Sequence, residues 1–276
     1  MPADLPRSLV VLSGGGTRGV FQVGPLERIA RETRISAVVG ASIGAENGYA
    51  VATGNVGQIR EMWADVRRGE DFQRLTLTPF NGLYTLDPLF KMLAAKDWGT
   101  PEIPFWVSVV DWMSGRPQLM GCNGRPLDHV FQLMRASSSI AGIHDVVSFD
   151  GRPIGDGGHD TPLPVPGRWW QDYDEVHVVS CRPLEDSPPV PAAAVDRSLE
   201  LIMRWADRMT TLRLRDSWRR LKRMAKGRPD IPFYFSAPKS WAVVHPTFPR
   251  KNRDLRAAIK RGLAHSDYMA EHRIQL

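Results

Sequence analysis

Leu9-Val10-Val11-Leu12-Ser13-Gly14-Gly15-Gly16-Thr17-Arg18-Gly19, followed shortly by Ile35-Ser36-Ala37-Val38-Val39-Gly40-Ala41-Ser42-Ile43-Gly44, decides the fold of this 276-residue chain. In each stretch a short apolar run ends in a glycine-centred turn and gives way to a helical pattern. Apolar runs of this length read as short buried strands. Strand, tight turn and helix, twice within fifty residues, open an α/β domain with a central mostly parallel sheet between helical layers.

The second turn has the G-x-S-x-G form of a nucleophile elbow. Gly40 and Gly44 let the backbone bend sharply and lift the hydroxyl of Ser42 clear of the sheet. Ser42 is therefore a candidate nucleophile; the plainer reading is a βα turn whose serine caps the next helix. In the first turn, Gly14, Gly16 and Gly19 also satisfy G-x-G-x-x-G. A dinucleotide site would need an acidic residue at the end of the second strand, which instead ends in Gly40-Ala41-Ser42. No Gly-Lys-Ser or Gly-Lys-Thr follows, so a P-loop fails as well. What remains is a run of backbone N–H groups at a helix N-terminus, suited to an anion such as the oxygen of a tetrahedral acyl intermediate. Pro25 falls inside the helix expected after this loop, where it would remove a hydrogen bond and kink the helix.

An ordinary α/β-hydrolase has several strands before its elbow, then its acid and histidine in that order. Here one strand precedes Ser42, and no histidine from His129 onward stands in a setting that marks a base. Asp156-Gly157-Gly158 offers a better partner. It follows Ser148 to Gly155, which reads as a β-hairpin turning at Asp150-Gly151. Taken alone, Asp156 reads by default as a second turn aspartate.

Together these blocks resemble the patatin-like phospholipases, lipid acyl hydrolases that use a Ser-Asp dyad without histidine. Gly14 to Gly19 looks like the family's oxyanion-hole loop, Gly40 to Ala45 its elbow, and Asp156-Gly157-Gly158 its aspartate loop. Arg135-Ala136-Ser137-Ser138-Ser139-Ile140-Ala141-Gly142 resembles the helix end that precedes that loop, and Phe105 to Asp111 a core strand. The resemblance spans about residues 8–182 and implies a three-layer α/β/α patatin-like fold. It also implies catalysis by Ser42 and Asp156 through an acyl-serine, with a buried Asp156 as base and an oxyanion hole at Gly14, Gly15, Gly16 and Arg18. For Arg18, tying the loop in place and adding positive potential both remain open. Ala141 stands where the family usually has proline, and His159-Asp160-Thr161-Pro162-Leu163 where it commonly has an asparagine. The loop after Gly158 also looks shorter. The implied substrates are phospholipid acyl esters; the rivals are a soluble carboxylesterase or thioesterase and a catalytically silent lipid-binding protein. No cofactor is implied. No H-E-x-x-H spacing and no paired cysteines suggest a metal, since Cys122 and Cys181 lie far apart.

Length and a hydrophobic content of 42% fit one domain over 1–276, with a motif-bearing core at about 8–182 and a basic helical part at about 192–276. The N-terminus lacks a signal-peptide pattern and no run reaches membrane-span length. With two distant cysteines this points to the cytoplasm, membrane association being left open. Pro183 to Pro191 reads as a linker. Between Arg197 and Arg228 there are 11 Lys or Arg against three acidic residues, and Leu201, Trp205, Met209, Leu212, Trp218 and Leu221 recur at mostly helical spacing. Two readings compete: a core-packed helix with a solvated basic face, or an interfacial segment that binds anionic lipid peripherally. No recognition motif supports nucleic acid. Arg250 to Arg261 repeats the basic pattern on an expected C-terminal helix, after Pro246-Thr247-Phe248-Pro249.

Overall fold

Along the first strand, Leu9 and Val11 point to one side and Val10 and Leu12 to the other, and all four are fully buried. A strand covered on both faces needs a helical layer above and below it. The computed structural model describes residues 5–66, 69–71, 73–76, 82, 84–184, 198–239, 252–269 and 271–273; for 159–160, 198–207 and 252–254 only the backbone course is described.

In chain order, β1 (Arg7–Leu12) leads through a 3₁₀ segment at Gly16–Gln22 to α1 (Val23–Glu32), β2 (Arg34–Ala41), α2 (Ile43–Ala52) and α3 (Ile59–Asp65). A small hairpin of β3 (Arg74–Leu75) and β4 (Tyr84–Thr85) precedes α4 (Asp87–Ala94), β5 (Phe105–Asp111), β6 (Arg116–Gly121) and α5 (Leu127–Ser138). Then come β7 (Val147–Phe149), β8 (Arg152–Asp156), the short α6 (Gly157–Asp160), β9 (Glu175–Val179), α7 (Ser198–Gly227), β10 (Phe233–Ser236), α8 (Asn252–Ser266) and β11 (Glu271–Arg273). Apart from the β3–β4 pair, the strands form one nine-stranded sheet. Its centre, β10-β9-β1-β2-β5, is entirely parallel, and antiparallel strands are added at its edges. This is the expected three-layer α/β architecture.

One face of the sheet packs Val10, Leu12 and Phe105 against Phe21, Leu26, Tyr49, Trp63 and Leu133. The other packs Leu9, Val11, Val176 and Val178 against Trp170 and helix α7. Helix α7 is one continuous helix, and Leu214, Leu221 and Ala225 lie in that second cluster. Trp218 lies over Phe235, with ring centroids 4.3 Å apart, whereas Leu212 is exposed. From Arg208 onward the described apolar face thus packs mainly on the sheet, the first of the two readings of the basic segment. Leu201 and Trp205 fall where side chains are not described, and residues 185–197 and 246–251 lie outside the described residues. Among the described residues no helix is long and apolar enough to cross a membrane.

Pro25 produces no kink. The residues after the glycine loop form a 3₁₀ segment and α1 starts only at Val23, so the proline stands in the first helical turn. A first-turn N–H has no acceptor within its own helix, and its absence removes nothing from α1.

A chain of buried amides joins the layers. Gln22 Nε2 donates to the carbonyls of Ser13 (2.9 Å) and Val179 (3.3 Å). Asn47 Nδ2 donates to Gly19 O (3.0 Å) and Gln22 Oε1 (2.9 Å), and Trp63 Nε1 donates to Asn47 Oδ1 (3.0 Å). Each group is sealed from water, so removing one partner strands the others. Asn47→Ala is expected to lower the unfolding free energy by about 3 kcal/mol in urea titrations. A loss below about 1 kcal/mol would show that the amides find other partners.

Candidate active site

Strand β5 has two edges and three partners. Along one edge β6 pairs from Trp106 to Asp111. The other is shared: β2 pairs from Phe105 to Ser108, and β8 from Val109 to Asp111. Because β2 runs parallel to β5 and β8 antiparallel, their C-terminal ends meet. Ala41 is opposite Ser108 and Asp156 opposite Val109, adjacent residues of one strand. Ser42 leaves the sheet from the first of these ends, and Asp156 closes the second.

The backbone at Ser42 has φ 52° and ψ −132°, a conformation that L residues rarely adopt. Such strain costs on the order of 1–3 kcal/mol and persists only where the surroundings enforce it. A side chain at Gly40 would run into the Gly44 carbonyl, and a Cβ at Gly44 would stand 2.7 Å from the carbonyl oxygens of Leu12 and Ser13. The two elbow glycines are thus required by close packing. On the opposing end, Gly158 N–H donates to Asp156 Oδ1 (2.7 Å), and Gly157 lies over Ser108 and Val109. A Cβ on Gly158 would come within 3.3 Å of Ala41 Cβ and 3.8 Å of Gly14 Cα. Glycine loop, elbow and aspartate loop therefore touch.

Three consecutive serines at the end of α5 hold this junction. Ser137 Oγ accepts the Ser42 N–H (2.8 Å) and donates to Ser108 O (2.6 Å). Ser138 Oγ donates to Glu46 Oε1 (2.6 Å), and the carbonyl of Ser139 accepts the Asp156 N–H (3.0 Å). The sequence marked this block by resemblance alone; the separate role of each serine, and any role for Glu46, had no signal there.

Ser42, Asp156, Gly14, Gly15, Gly16 and Gly158 line one cleft of about 630 Å³, counting the open space at its mouth. Asp156 is 5% exposed. Gly14 differs from expectation, because its N–H donates to Pro162 O (3.0 Å) and is not available to a substrate oxygen. The N–H groups of Gly15 and Gly16 make no backbone bond among the described residues. Arg18 is buried in the 3₁₀ segment and is not part of the cleft lining.

The lining also includes Ile43, Leu86, Leu89, Ile140, His144, Arg182 and Thr210. Leu86 and Leu89 at helix α4, Arg182 after β9 and Thr210 on α7 are remote in sequence and carried no motif. His144 is held at both ring nitrogens: Nδ1 accepts the Ile140 N–H (3.1 Å) and Nε2 meets Gln73 Oε1 (2.8 Å). Burial first, and the Arg135 charge second, push its pKa down to about 4. A neutral ring accepting at Nδ1 carries its proton on Nε2, so His144 forms wall and not base. Among the described residues no three His, Cys, Asp or Glu side chains converge as metal ligands would.

The patatin-like phospholipase family model matches residues 10–167. Lysophospholipase nte1 of Aspergillus terreus is 27% identical over 198 residues, covering 65% of this chain and 12% of that protein. The crystal structure of VipD from Legionella pneumophila aligns with a TM-score of 0.47 at 14% identity, covering 96% of this chain and 66% of that one. The chain thus spans a small part of the first relative and just under two thirds of the second.

His144 gives the fold a defined response to acid. Its folded pKa of about 4 lies below the ordinary 6.5, so between these values the unfolded chain takes up a proton that the folded one declines. The contribution is complete above pH 6.5 and lost as pH falls toward 4, by up to roughly 3 kcal/mol. His144→Asn, which keeps an acceptor for the Ile140 N–H, is expected to flatten the fall of unfolding free energy across this window. Equal slopes for the two proteins would mean that the folded ring does take the proton.

Proposed function

The chain belongs to the patatin-like phospholipase family, and from that membership we propose that it hydrolyses acyl esters of phospholipids with Ser42 as nucleophile and Asp156 as base. Ser42 Oγ attacks the ester carbonyl while Asp156 takes its proton, and Asp156 passes that proton to the departing alcohol. Water, deprotonated in turn by Asp156, then releases the fatty acid from the acyl-serine. The transient oxyanion lies against the N–H groups of Gly15 and Gly16 and the N-terminus of α2. Gly14 acts as a spacer that lets the loop approach Ser42. Ile43, Leu86, Leu89 and Ile140 form an apolar wall for the acyl chain.

The observation that carries this reading is the shared edge of β5, which brings the ends of β2 and β8 to adjacent registers beside the glycine loop. The relative named as a lysophospholipase adds single-chain lipids to the substrates worth testing.

The test is fatty-acid release from phosphatidylcholine–phosphatidylglycerol vesicles, from lysophosphatidylcholine and from a short-chain soluble ester. Wild type is expected to act on the lipids, and Ser42→Ala or Asp156→Asn to lower the rate at least ~10³-fold. Activity confined to the soluble ester would make the protein an esterase. Release that survives either substitution would overturn the dyad, and no release by folded wild type would leave a silent lipid-binding protein.

A further inference from the structure

We propose that Glu46 is a positioning residue for this reaction, an uncharged carboxyl that locks the nucleophile helix to the serine-rich end of α5, from which the backbone of Asp156 is also held. The inference rests on the Ser42–Asp156 reading. Glu46 sits in the first turn of α2, four residues after Ser42, and is fully buried. Its Oε1 accepts from Ser138 Oγ at 2.6 Å, whereas Oε2 has no hydrogen-bond partner among the described residues. A carboxylate with one oxygen sealed and unpaired is a poor solution for a charged group and an acceptable one for a neutral acid.

The surroundings agree. Burial dominates and pushes the Glu46 pKa up to about 8, the Ser138 bond and the residue's own N–H pull it down, and the charge of Asp156 pushes it up. The other charged groups on the elements packed against α2 are Arg7 on β1, Arg18 in the 3₁₀ segment, Arg34 on β2, Asp111 on β5, and Asp128, His129 and Arg135 on α5. None of them is a cause of the shift at Glu46, so the partner charge that matters is that of Asp156.

Neighbouring serines of α5 thus grip the backbone of Ser42, the carboxyl of Glu46 and the backbone of Asp156. With Glu46 neutral, α2 is tied to α5 without repulsion. When Glu46 loses its proton, a second negative charge enters the dry site beside Asp156. It pushes the two sides of the junction apart and opposes the anion that grows on the substrate oxygen at the α2 N-terminus. Hydrolysis should therefore fall as pH rises through the ionisation of Glu46.

The experiment is the pH profile of acyl release from a soluble short-chain ester, from about pH 6 to about pH 10, with folding checked at each pH by circular dichroism. Wild type is expected to show an alkaline limb at about 8. Glu46→Gln keeps an acceptor for Ser138 and has no proton to lose; whatever the height of its plateau, it should show no limb below about pH 10, where tyrosine and lysine begin to titrate. Ser138→Ala removes a bond that favours the ionised form and should move the limb to higher pH. A residue that only fills space would change the plateau and leave the limb where it was. The proposal is overturned by a wild type with no limb, or by a limb at the same pH in both variants. If Glu46→Gln does not fold, the direction of the Ser138→Ala shift decides alone. Folded wild type without hydrolysis at any pH defeats the hydrolase reading, and this inference with it; hydrolysis with an unmoved limb defeats the role of Glu46 alone.

Discussion

One edge of β5 must satisfy its backbone hydrogen bonds with two strands that arrive from opposite directions, and the rest of the molecule is arranged around that constraint. Neither strand can extend by a residue without displacing the other. Each must therefore leave the sheet abruptly, β2 into the elbow and β8 into the glycine-flanked loop. In open α/β sheets, ligands gather at the carboxyl ends of the strands. Here the antiparallel strand also presents its carboxyl end to that place, so two chain exits and the N-terminus of α2 share one small volume.

The junction is held from several sides. The unfavourable backbone at Ser42 is fixed by a hydrogen bond from its N–H to Ser137 and by contacts that leave no room for a side chain at Gly40 or Gly44. Behind the elbow, Asn47 and Gln22 tie α2 to the glycine loop and to the ends of β1 and β9. Strain in one residue is thus opposed by interactions distributed over several elements, the usual condition under which a strained residue survives.

Much of this could be read in the sequence because it is local. Leu9 to Leu12 and Ile35 to Val39 are apolar runs that only a covered strand can use, and they appear as β1 and β2 with longer ends. Asp150 and Gly151 do adopt the positive φ, 48° and 73°, that an Asp-Gly hairpin turn requires. The failures lie in irregular or non-local structure. Pro25 looked disruptive because the 3₁₀ segment before it leaves no periodic trace. The acceptor for Gly14 N–H is Pro162, far along the chain, and nothing near either residue announces the pairing. Glu46 reads as an ordinary helix glutamate, and only the packed structure removes its water. The apolar wall at Leu86 and Leu89 is likewise indistinguishable in sequence from any helical core face.

The two residues of the proposed dyad are delivered by parts of the chain that differ in how local their contacts are. Ser42 belongs to a unit of β1, β2 and α2 whose contacts are close in sequence, while Asp156 arrives about 110 residues later by pairing with β5. Local contacts form fast, and non-local strand pairing is slow because the intervening chain must first be ordered. A chain still emerging from the ribosome can hold the elbow, the glycine loop and β5 and yet lack Asp156, the base proposed for Ser42. On the proposed reading, the order of synthesis leaves Ser42 without its base until β8 has been made, when most strands of the sheet are in place.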